Sequence, residues 1–366
     1  MVEWKKLGDS CKMVTPPKKL GKELYGVNGD FPIIDQGQKD IIGYTDDESS
    51  LVPNDEYVLF GDHTRYVKFF KGRFAQGADG LKILKADADV LPRYFFYAFS
   101  NTEVPSRGYS RHWSIAKELL IPIPSLEEQN RIVGILDTFT SSIDNLKQQI
   151  AQRRKQYEYY RDQLLDLEGK EGVEMKKLED IVSNDCSLSY GIVQPGDDVY
   201  EGIPVVRPVD LIYTFISRLG LKNTTKEISN SYKRTILRGK EILFCVRGTT
   251  GIMSLATQDL VGCNVTRGIV PISFDNEITK MFVYYQLKSS KLQKAIADKT
   301  NGTALKQINI KDLRQINLLI PPLSEQQRIV SILDTFEASI QNLEAQLSQR
   351  EKQYEYYRNK LLTFED

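Results

Sequence analysis

Two long segments of the chain carry apolar side chains at alternating spacings of four and three residues. The pattern runs over residues 132–164 and again over residues 329–361, with one arginine, Arg153 or Arg350, inside each seam. This spacing is the a/d seam of a coiled coil and predicts two long helices. About 40 residues form a helical rod of roughly 60 Å. The alternative is a single amphipathic helix packed on its own domain, but heptads this regular in both segments need a long partner.

The two helical segments are copies of one another. Residues 123–168 align with residues 320–365 without a gap, and 30 of the 46 aligned positions are identical. Fainter resemblances precede each copy, for example between residues 57–60 and residues 241–244. Such a repeat indicates two related globular domains that alternate with two near-constant helices. The predicted domain boundaries are 1–124, 125–168, 169–322 and 323–366.

Each helix has a start signal just after prolines. Ser125 with Glu128, and Ser324 with Gln327, have the spacing of a capping box. The first helix is predicted to end near Glu168.

The short linker after the first helix decides the orientation of the two helices. A parallel pair would require the second domain to carry the chain roughly 60 Å back, whereas an antiparallel pair needs no such travel. We therefore predict an α+β protein in which two related domains are joined by a long antiparallel two-helix coiled coil with a pseudo-twofold repeat. The predicted seam pairs are Leu146 with Leu347, Ile150 with Leu343 and Tyr157 with Phe336, with Arg153 and Arg350 fixing the register beside Ile340 and Ile143.

The composition is that of a folded protein without membrane segments. The chain has 366 residues, of which 41% are hydrophobic and 27% are charged, enough to build cores for two or three domains. No apolar run approaches the roughly 18 residues of a membrane span, and the first residues do not form a signal peptide. The four cysteines are isolated, which favours reduced thiols and a cytoplasmic location.

The net charge of zero conceals a difference between segments. The chain has 49 basic and 49 acidic residues, a balance that taken as a whole speaks against a nucleic-acid partner. Basic and acidic residues number 17 and 17 over residues 1–124, and 20 and 15 over residues 173–322. The helical segments are acidic, with 7 against 9 over residues 125–172 and 5 against 8 over residues 323–366. The second domain is therefore basic, although the charge of this chain alone does not favour strong nonspecific DNA binding.

At these residues the sequence resembles the specificity subunit of type I restriction-modification enzymes. The resemblance covers the whole layout, and its most specific residues are the helix entries at 124–132 and 321–329. The second domain adds the strand at 242–244 followed by the glycine-containing turn at 247–251. The first domain departs from the family pattern at residues 61–65.

The resemblance implies a non-catalytic subunit that recognises a split, asymmetric sequence in double-stranded DNA, with one half-site for each domain. It implies that the helical regions bind two copies of an adenine-methylating modification subunit, and that restriction subunits with ATP-driven translocation join the full complex. The resemblance implies no cofactor in this chain. It implies that S-adenosylmethionine, Mg and ATP are bound by the partner subunits.

The motifs of an autonomous enzyme are absent from the sequence. Neither Pro-Pro pair follows the Asp or Asn that an adenine methyltransferase motif would require, and no Gly-rich segment supports a P-loop. His63 and His112 are the only histidines, which disfavours a histidine-centred triad or a metal cluster. The Glu-x-Lys at residues 174–176 lacks the upstream acids of a nuclease and is more readily explained as coincidence. We predict no catalytic residue and no metal ligand.

Candidate DNA contacts are Lys and Arg for phosphates, and Arg, Asn, Gln, Ser and Thr on loops for bases. A solvated basic face or an ordinary turn is the alternative for each residue. In the first domain the candidates are Arg65, Lys68, Arg73, Gln76, Arg107, Tyr109, Arg111 and His112. In the second domain they are Arg218, Lys222, Lys233, Arg234, Arg247, Thr249, Thr250, Asn264, Arg267, Asn301 and Thr303.

Aromatic residues divide between core and surface. The runs at 94–97 and 282–285 occupy matched positions in both domains and are predicted to be core rather than base-stacking platforms. Tyr159 and Tyr356 lie off the seam and are candidates for partner contact. The full set of predicted partner contacts is Glu128, Gln129, Arg131, Tyr159, Glu325, Gln326, Arg328 and Tyr356. A two-headed coiled-coil adaptor that holds two proteins apart is the alternative function.

Overall fold

The computed structural model describes residues 2–77, 80–108, 110–300 and 306–364. It divides into two compact units, the first formed by Met1–Gln148 together with Glu344–Asp366 and the second by Gln149–Leu343. Each unit therefore combines a globular part with the beginning of one long helix and the end of the other.

The globular part of the first unit contains short strands and two short helices. The elements are β1 (Glu3–Lys6), β2 (Cys11–Val14), β3 (Phe31–Ile34), β4 (Gly43–Thr45), β5 (Asp55–Gly61), β6 (Val67–Gly72), β7 (Ala75–Gln76), β8 (Leu81–Ala86), α1 (Pro92–Ser100), α2 (Trp113–Ala116) and β9 (Leu120–Ile123). Strand β1 pairs antiparallel with β9. Strands β2-β8-β5-β6 form an antiparallel sheet, and β4-β3-β7 form a sheet in which β3 and β7 are parallel.

The second unit repeats this plan. The elements are β10 (Glu174–Lys177), α4 (Leu178–Ile181), β11 (Ile203–Val206), β12 (Lys222–Thr224), α5 (Lys226–Ser231), β13 (Ile242–Cys245), β14 (Met253–Leu255), β15 (Asn264–Val265), β16 (Ile269–Ile272), α6 (Glu277–Lys288), α7 (Ser290–Asp298), α8 (Ile310–Arg314) and β17 (Asn317–Ile320). Strand β10 pairs with β17, and β13 lies between β14 and β16. Strand β11 pairs antiparallel with β12 and parallel with β15.

The central strands β5 and β13 supply two cores each, because successive side chains point to opposite faces. Val58 and Phe60 join the core that contains α1 and the long helices, whereas Tyr57 and Leu59 join a distal core with β3. In the second unit Phe244 faces the helices and Leu243 faces the distal core. The predicted correspondence of the two domains is confirmed.

The long helices are α3 (Leu126–Leu164) and α9 (Leu323–Thr363). Ser125 caps α3, since its Oγ accepts the Glu128 N–H at 3.3 Å. The predicted cap at Ser324 is wrong, because α9 begins one residue earlier. The repeat places Pro322 where Ser125 stands. The Pro322 carbonyl accepts the N–H groups of Glu325 and Gln326, one turn further along the helix, at 2.9 and 3.1 Å.

Ring contacts within each unit show that α3 and α9 pack antiparallel, as predicted. In the first unit Phe139 near the start of α3 stacks on Tyr357 near the end of α9, with ring centroids 5.3 Å apart. In the second unit Tyr160 stacks on Phe336 at 5.5 Å. The seam arginine Arg153 lies over Phe336 at 5.9 Å and makes a cation–π contact.

A tyrosine–aspartate hydrogen bond joins each globular part to the helix that follows it. The hydroxyl of Tyr97 donates to Asp137 at 2.5 Å, and that of Tyr285 donates to Asp334 at 2.5 Å. Both tyrosine rings are buried, which confirms the core assignment of these aromatic runs. Burial raises the pKa of both hydroxyls above the usual value, so they remain protonated donors.

Removing this hydroxyl should loosen the junction. We expect Tyr285→Phe to lower the free energy of unfolding by about 1–2 kcal/mol, because a hydrogen bond to a charged acceptor is lost while the ring still fills its site. Urea denaturation followed by circular dichroism measures the change. Tyr356→Phe is the control, since that ring is exposed. An equal loss in both variants would contradict the assigned role of the buried hydroxyl.

Candidate DNA interface

Two parallel strands of the second unit end side by side, and the residues that follow them form a basic edge. Val206 lies opposite Val265, so Arg207 and Thr266 leave β11 and β15 at the same end. A groove of about 310 Å³ at this end is lined by Arg247, Thr266 and Arg267 among others. A second groove of about 130 Å³ shares Thr266 with the first. We call six of the residues that line these grooves the second basic edge: Arg207, Lys222, Asn223, Arg247, Thr266 and Arg267. The second groove is also lined by the acidic residues Asp197 and Asp198.

Three cations of the second basic edge are available to a ligand. Arg267 and Lys222 are exposed and Arg247 is half-buried. No ion pair engages any of the three within the described part of the chain, whereas the Arg207 guanidinium is held by Asp210 at 2.8 Å. Unpaired cations beside a concave surface are suited to an anionic polymer.

The turn after β13 is fixed by one backbone N–H and one side-chain hydroxyl that bond the same carbonyl. The N–H of Gly248 and the hydroxyl of Thr250 both donate to the carbonyl of Lys306, at 2.9 and 3.1 Å. Gly251 has a φ of +92°, a conformation that favours glycine. Thr249 is exposed, whereas the Thr250 hydroxyl is already engaged.

Asn264 is not a base contact, and its prediction is corrected. The side chain is fully buried in β15, where its amide bonds the carbonyls of Ser229 and Tyr232 and accepts from the Thr235 hydroxyl at 2.7 Å. These bonds attach the segment after α5 to the sheet. A buried amide with this many partners has a structural role.

The other predicted cations of the second unit fall outside the grooves. Arg218 lies on the exposed turn that precedes β12, and Lys233 and Arg234 follow α5 beyond the other end of that strand. All three are exposed but line neither groove. Asn301 and Thr303, like Tyr109 of the first unit, lie outside the described residues.

In the first unit the turn after β5 is closed by the same kind of backbone bond as the turn after β13, over four residues instead of six. The N–H of Arg65 bonds the Gly61 carbonyl at 2.7 Å, as the N–H of Gly251 bonds Cys245 at 2.9 Å. Arg65 itself adopts a φ of +64°, in the left-handed region that glycine occupies in the other unit. Its guanidinium donates to the Val104 carbonyl at 2.9 Å, so it anchors the neighbouring loop while remaining exposed.

The loop that carries Arg107 and Arg111 is held against the end of β5 by a buried histidine. His112 is fully buried, and its Nδ1 lies 3.0 Å from the carbonyl of Asp62. Its Nε2 accepts the Arg107 N–H at 3.1 Å. His112 is therefore a support and not a DNA contact, which corrects its prediction. Arg65, Arg107 and Arg111 are exposed around this end of β5, and we call them the first basic edge.

Burial corrects the predictions for Lys68 and Gln76, whereas that for Arg73 stays a prediction. Lys68 is buried, and its ammonium donates to the carbonyls of Asp35 and Lys39; desolvation lowers its pKa. Gln76 is buried in β7. Arg73 follows Gly72, which lies opposite Asp55 at the start of β5, and so it is at the other end of the strand. There it pairs with Glu48 at 2.9 Å.

Sequence reasoning missed Arg207, Asn223 and Thr266. Thr266 lies between Asn264 and Arg267, both of which are candidates from the sequence, and this position is the signal that could have selected it.

The predicted partner contacts separate into buried and exposed residues. Gln129 and Gln326 are buried, and each donates its side-chain amide to a proline carbonyl at the helix entry, Pro124 or Pro321, at 2.9 Å. They are therefore corrected to structural residues. The exposed ion pairs that follow them have the same geometry in both copies: Glu128 with Arg131 at 2.6 Å, and Glu325 with Arg328 at 2.7 Å.

Tyr159 and Tyr356 are each 59% exposed, in matched positions near the ends of α3 and α9. Each ring packs edge-on against the tyrosine that follows it. Tyr159 also lines a groove of about 1020 Å³ in the second unit, together with the exposed Met175. Exposed aromatic side chains beside an apolar groove are typical of protein interfaces.

The described residues contain no group of three or more His, Cys, Asp and Glu side chains placed to hold a metal ion. None of the helices within the described ranges combines the length and apolar content that a membrane crossing needs.

Comparison with known proteins matches most of the sequence to one family. Residues 1–153 and 170–351 match the type I restriction modification DNA specificity domain. The chain belongs to this family. It is 29% identical over 393 residues to the specificity subunit of the type I restriction enzyme EcoR124I/EcoR124II of Escherichia coli, covering 99% of this chain and 94% of the relative. It is 26% identical over 392 residues to a putative specificity subunit of Haemophilus influenzae, covering 99% and 96%.

The fold of the family is also found in solved structures. The S subunit of a type I restriction-modification system from M. genitalium superimposes with a TM-score of 0.66 at 16% identity, covering 100% of this chain and 97% of that one. The predictions of the family, of the fold class and of a DNA-specificity function without catalysis in this chain are confirmed.

The corrected role of Asn264 leads to a contrast with its neighbour. We expect Asn264→Ala to lower the free energy of unfolding by about 2 kcal/mol, since buried partners lose their hydrogen bonds. Arg267→Ala, three residues away and exposed, should leave stability within about 0.5 kcal/mol of the wild type. Thermal and urea unfolding of the two purified variants measure the difference. If Asn264→Ala were as stable as Arg267→Ala, the structural assignment would be wrong.

Proposed function

We propose that this chain reads a bipartite, asymmetric sequence in double-stranded DNA, with one half-site for each unit. The observation that carries the proposal is the occurrence of a basic edge in both units. It lies at the end of β5 in the first unit, and at the ends of β11 and β15, beside the turn after β13, in the second. The first basic edge consists of Arg65, Arg107 and Arg111, and the second includes Lys222, Arg247 and Arg267.

The side chains at the two edges differ although the strands correspond, which supports recognition of two different half-sites. An arginine can donate two hydrogen bonds to the O6 and N7 of guanine, whereas threonine and asparagine bind other base edges. In the second unit Arg247, Arg267, Asn223 and Thr266 supply this chemistry, and Lys222 is suited to a phosphate.

The long helices are proposed to set the gap between the half-sites. Helix α3 has 39 residues and contributes to both units, and a helix of that length measures about 58 Å. Half-sites on one face of the duplex recur about every 34 Å, so a spacer of this scale suits a split site.

Alanine substitutions at the two basic edges should affect different half-sites. With Arg247→Ala or Arg267→Ala we expect relaxed base preference in one half-site and affinity weakened by roughly 10- to 100-fold, since each arginine reads or positions one base pair. With Arg107→Ala or Arg111→Ala the other half-site should be affected. The measurement is sequencing of adenine methylation in cells that express the chain with its modification subunit, followed by binding assays on the site found.

Arg73→Ala is the matched control for the first unit, because this arginine lies at the opposite end of β5 and is paired with Glu48. It should leave both half-sites unchanged. Methylation that does not depend on the chain, or that shows no split motif, would overturn the proposal. If every variant lost recognition of both half-sites, the assignment of one half-site to each unit would be wrong.

We further propose that two modification subunits bind the helices near Tyr159 and Tyr356. The repeat presents the same exposed tyrosine twice, which suits two copies of one partner. The cofactors S-adenosylmethionine, Mg and ATP would then belong to the partner subunits, with restriction subunits completing an assembly that works in the cytoplasm.

Substitution of the exposed tyrosines should weaken assembly stepwise. Tyr159→Ala and Tyr356→Ala should each reduce the affinity for one modification subunit by at least about 30-fold, the effect of a typical aromatic hot spot. The double variant should bind neither. Size-exclusion chromatography with light scattering gives the stoichiometry.

Gln152→Ala and Gln349→Ala form the control pair, because these exposed residues occupy matched positions two turns further toward the middle of each helix. Full assembly of the double tyrosine variant would exclude these positions as the docking sites. A two-headed protein adaptor remains the second candidate function only if the complex forms but binds no DNA.

A further inference from the structure

We propose that Leu219 of the second unit is a wedge that inserts between base pairs of the half-site read by this unit. The inference rests on the proposed function. The structure places the exposed side chain of Leu219 at the tip of a turn between Arg218 and Lys222, whose other leucine, Leu221, packs against the distal core. Earlier in the same loop the apolar side chains of Ile212, Tyr213 and Phe215 are also exposed.

The turn is tight and anchored. The N–H of Leu221 reaches the carbonyl of Arg218 at 3.4 Å, and Gly220 has a φ of +84°. The Arg218 N–H donates to the Asp259 carboxylate at 2.6 Å, and the Leu219 N–H donates to the Ser217 hydroxyl at 3.1 Å. These bonds hold the backbone in place while the Leu219 side chain is 92% exposed. An anchored turn can insert a side chain without first becoming ordered.

The topology brings this turn to the second basic edge. Strand β12 follows the turn and runs antiparallel to β11, with Lys222 opposite Val205. The turn therefore lies beyond the end of β11, which is the end where Arg207 and Thr266 line the grooves. A duplex bound along these grooves would meet the turn.

The charges around Leu219 favour DNA over a protein as the molecule that this turn contacts. Leu219 is flanked by Arg218 and Lys222, both exposed and without an ion pair among the described residues. A cationic rim around one apolar tip matches two phosphates around a base step, and proteins that kink DNA insert leucine and similar side chains in this way. The unstacked step would also contribute sequence preference without a base hydrogen bond, because steps differ in the energy needed to open them.

The test uses the assembled complex of this chain with its modification subunits. The duplex carries the bipartite site found by methylation sequencing, with the fluorescent base 2-aminopurine placed at each step of the second unit's half-site in turn. Unstacking of the probe raises its fluorescence. We expect one step to brighten with the wild-type chain and to stay dark with Leu219→Ala, with affinity reduced on the order of tenfold, the scale of one lost base contact. Leu219→Met should retain the signal.

Two controls separate the wedge from other effects. Leu24→Ala makes the same change at an exposed leucine of the first unit and should leave the signal unchanged. A mismatch at the bright step removes most of the unstacking energy, so Leu219→Ala should regain affinity for that duplex.

Each remaining outcome is decisive. If the wild-type complex binds no split site, the proposed function itself fails. If it binds and Leu219→Ala gives the same fluorescence and affinity, only the wedge is wrong. If Leu219→Ala loses a modification subunit in size-exclusion chromatography, the turn docks a protein and the wedge is overturned.

Discussion

The antiparallel pairing of α3 and α9 is the constraint on which both units depend. Ile132 and Leu136 at the start of α3 share a core with Leu362 at the end of α9, and all three are buried. In the second unit Leu333 at the start of α9 shares a core with Tyr157 near the end of α3. Each globular part is therefore closed by segments far apart in sequence, and a slip in the helix register would open both cores.

The two-sided central strands explain why recognition can vary without loss of the fold. Along β5 and β13, alternate side chains commit to the helix-side core or to the distal core, so the strand interior is fully used for packing. The turns that follow these strands are closed by backbone hydrogen bonds instead. The side chains of these turns differ, for example Arg65 where the second unit has Gly251, while a backbone bond closes both turns.

The sequence predicts long-range organisation better than it predicts individual contacts. Heptad spacing and the repeat are properties of many residues together, so the helices, their antiparallel pairing and the correspondence of the domains are correct. Burial of a single polar residue depends on what packs around it, which spacing does not reveal. His112, Asn264 and Gln129 have the chemistry of contact residues, yet their hydrogen bonds are satisfied inside the protein. Pro322 replaces a capping serine because its carbonyl alone suffices.

The division of the chain into units also fixes an order of events on the ribosome. The second unit is continuous over residues 149–343, whereas the first needs residues from 344 onward to complete its core. The first unit, although its globular part is synthesised earliest, can therefore finish folding only after the second has left the ribosome. Until then the apolar side chains of Ile132 and Leu136 lack the end of α9 that covers them in the folded unit. Apolar surface exposed in this way during synthesis is what chaperones bind.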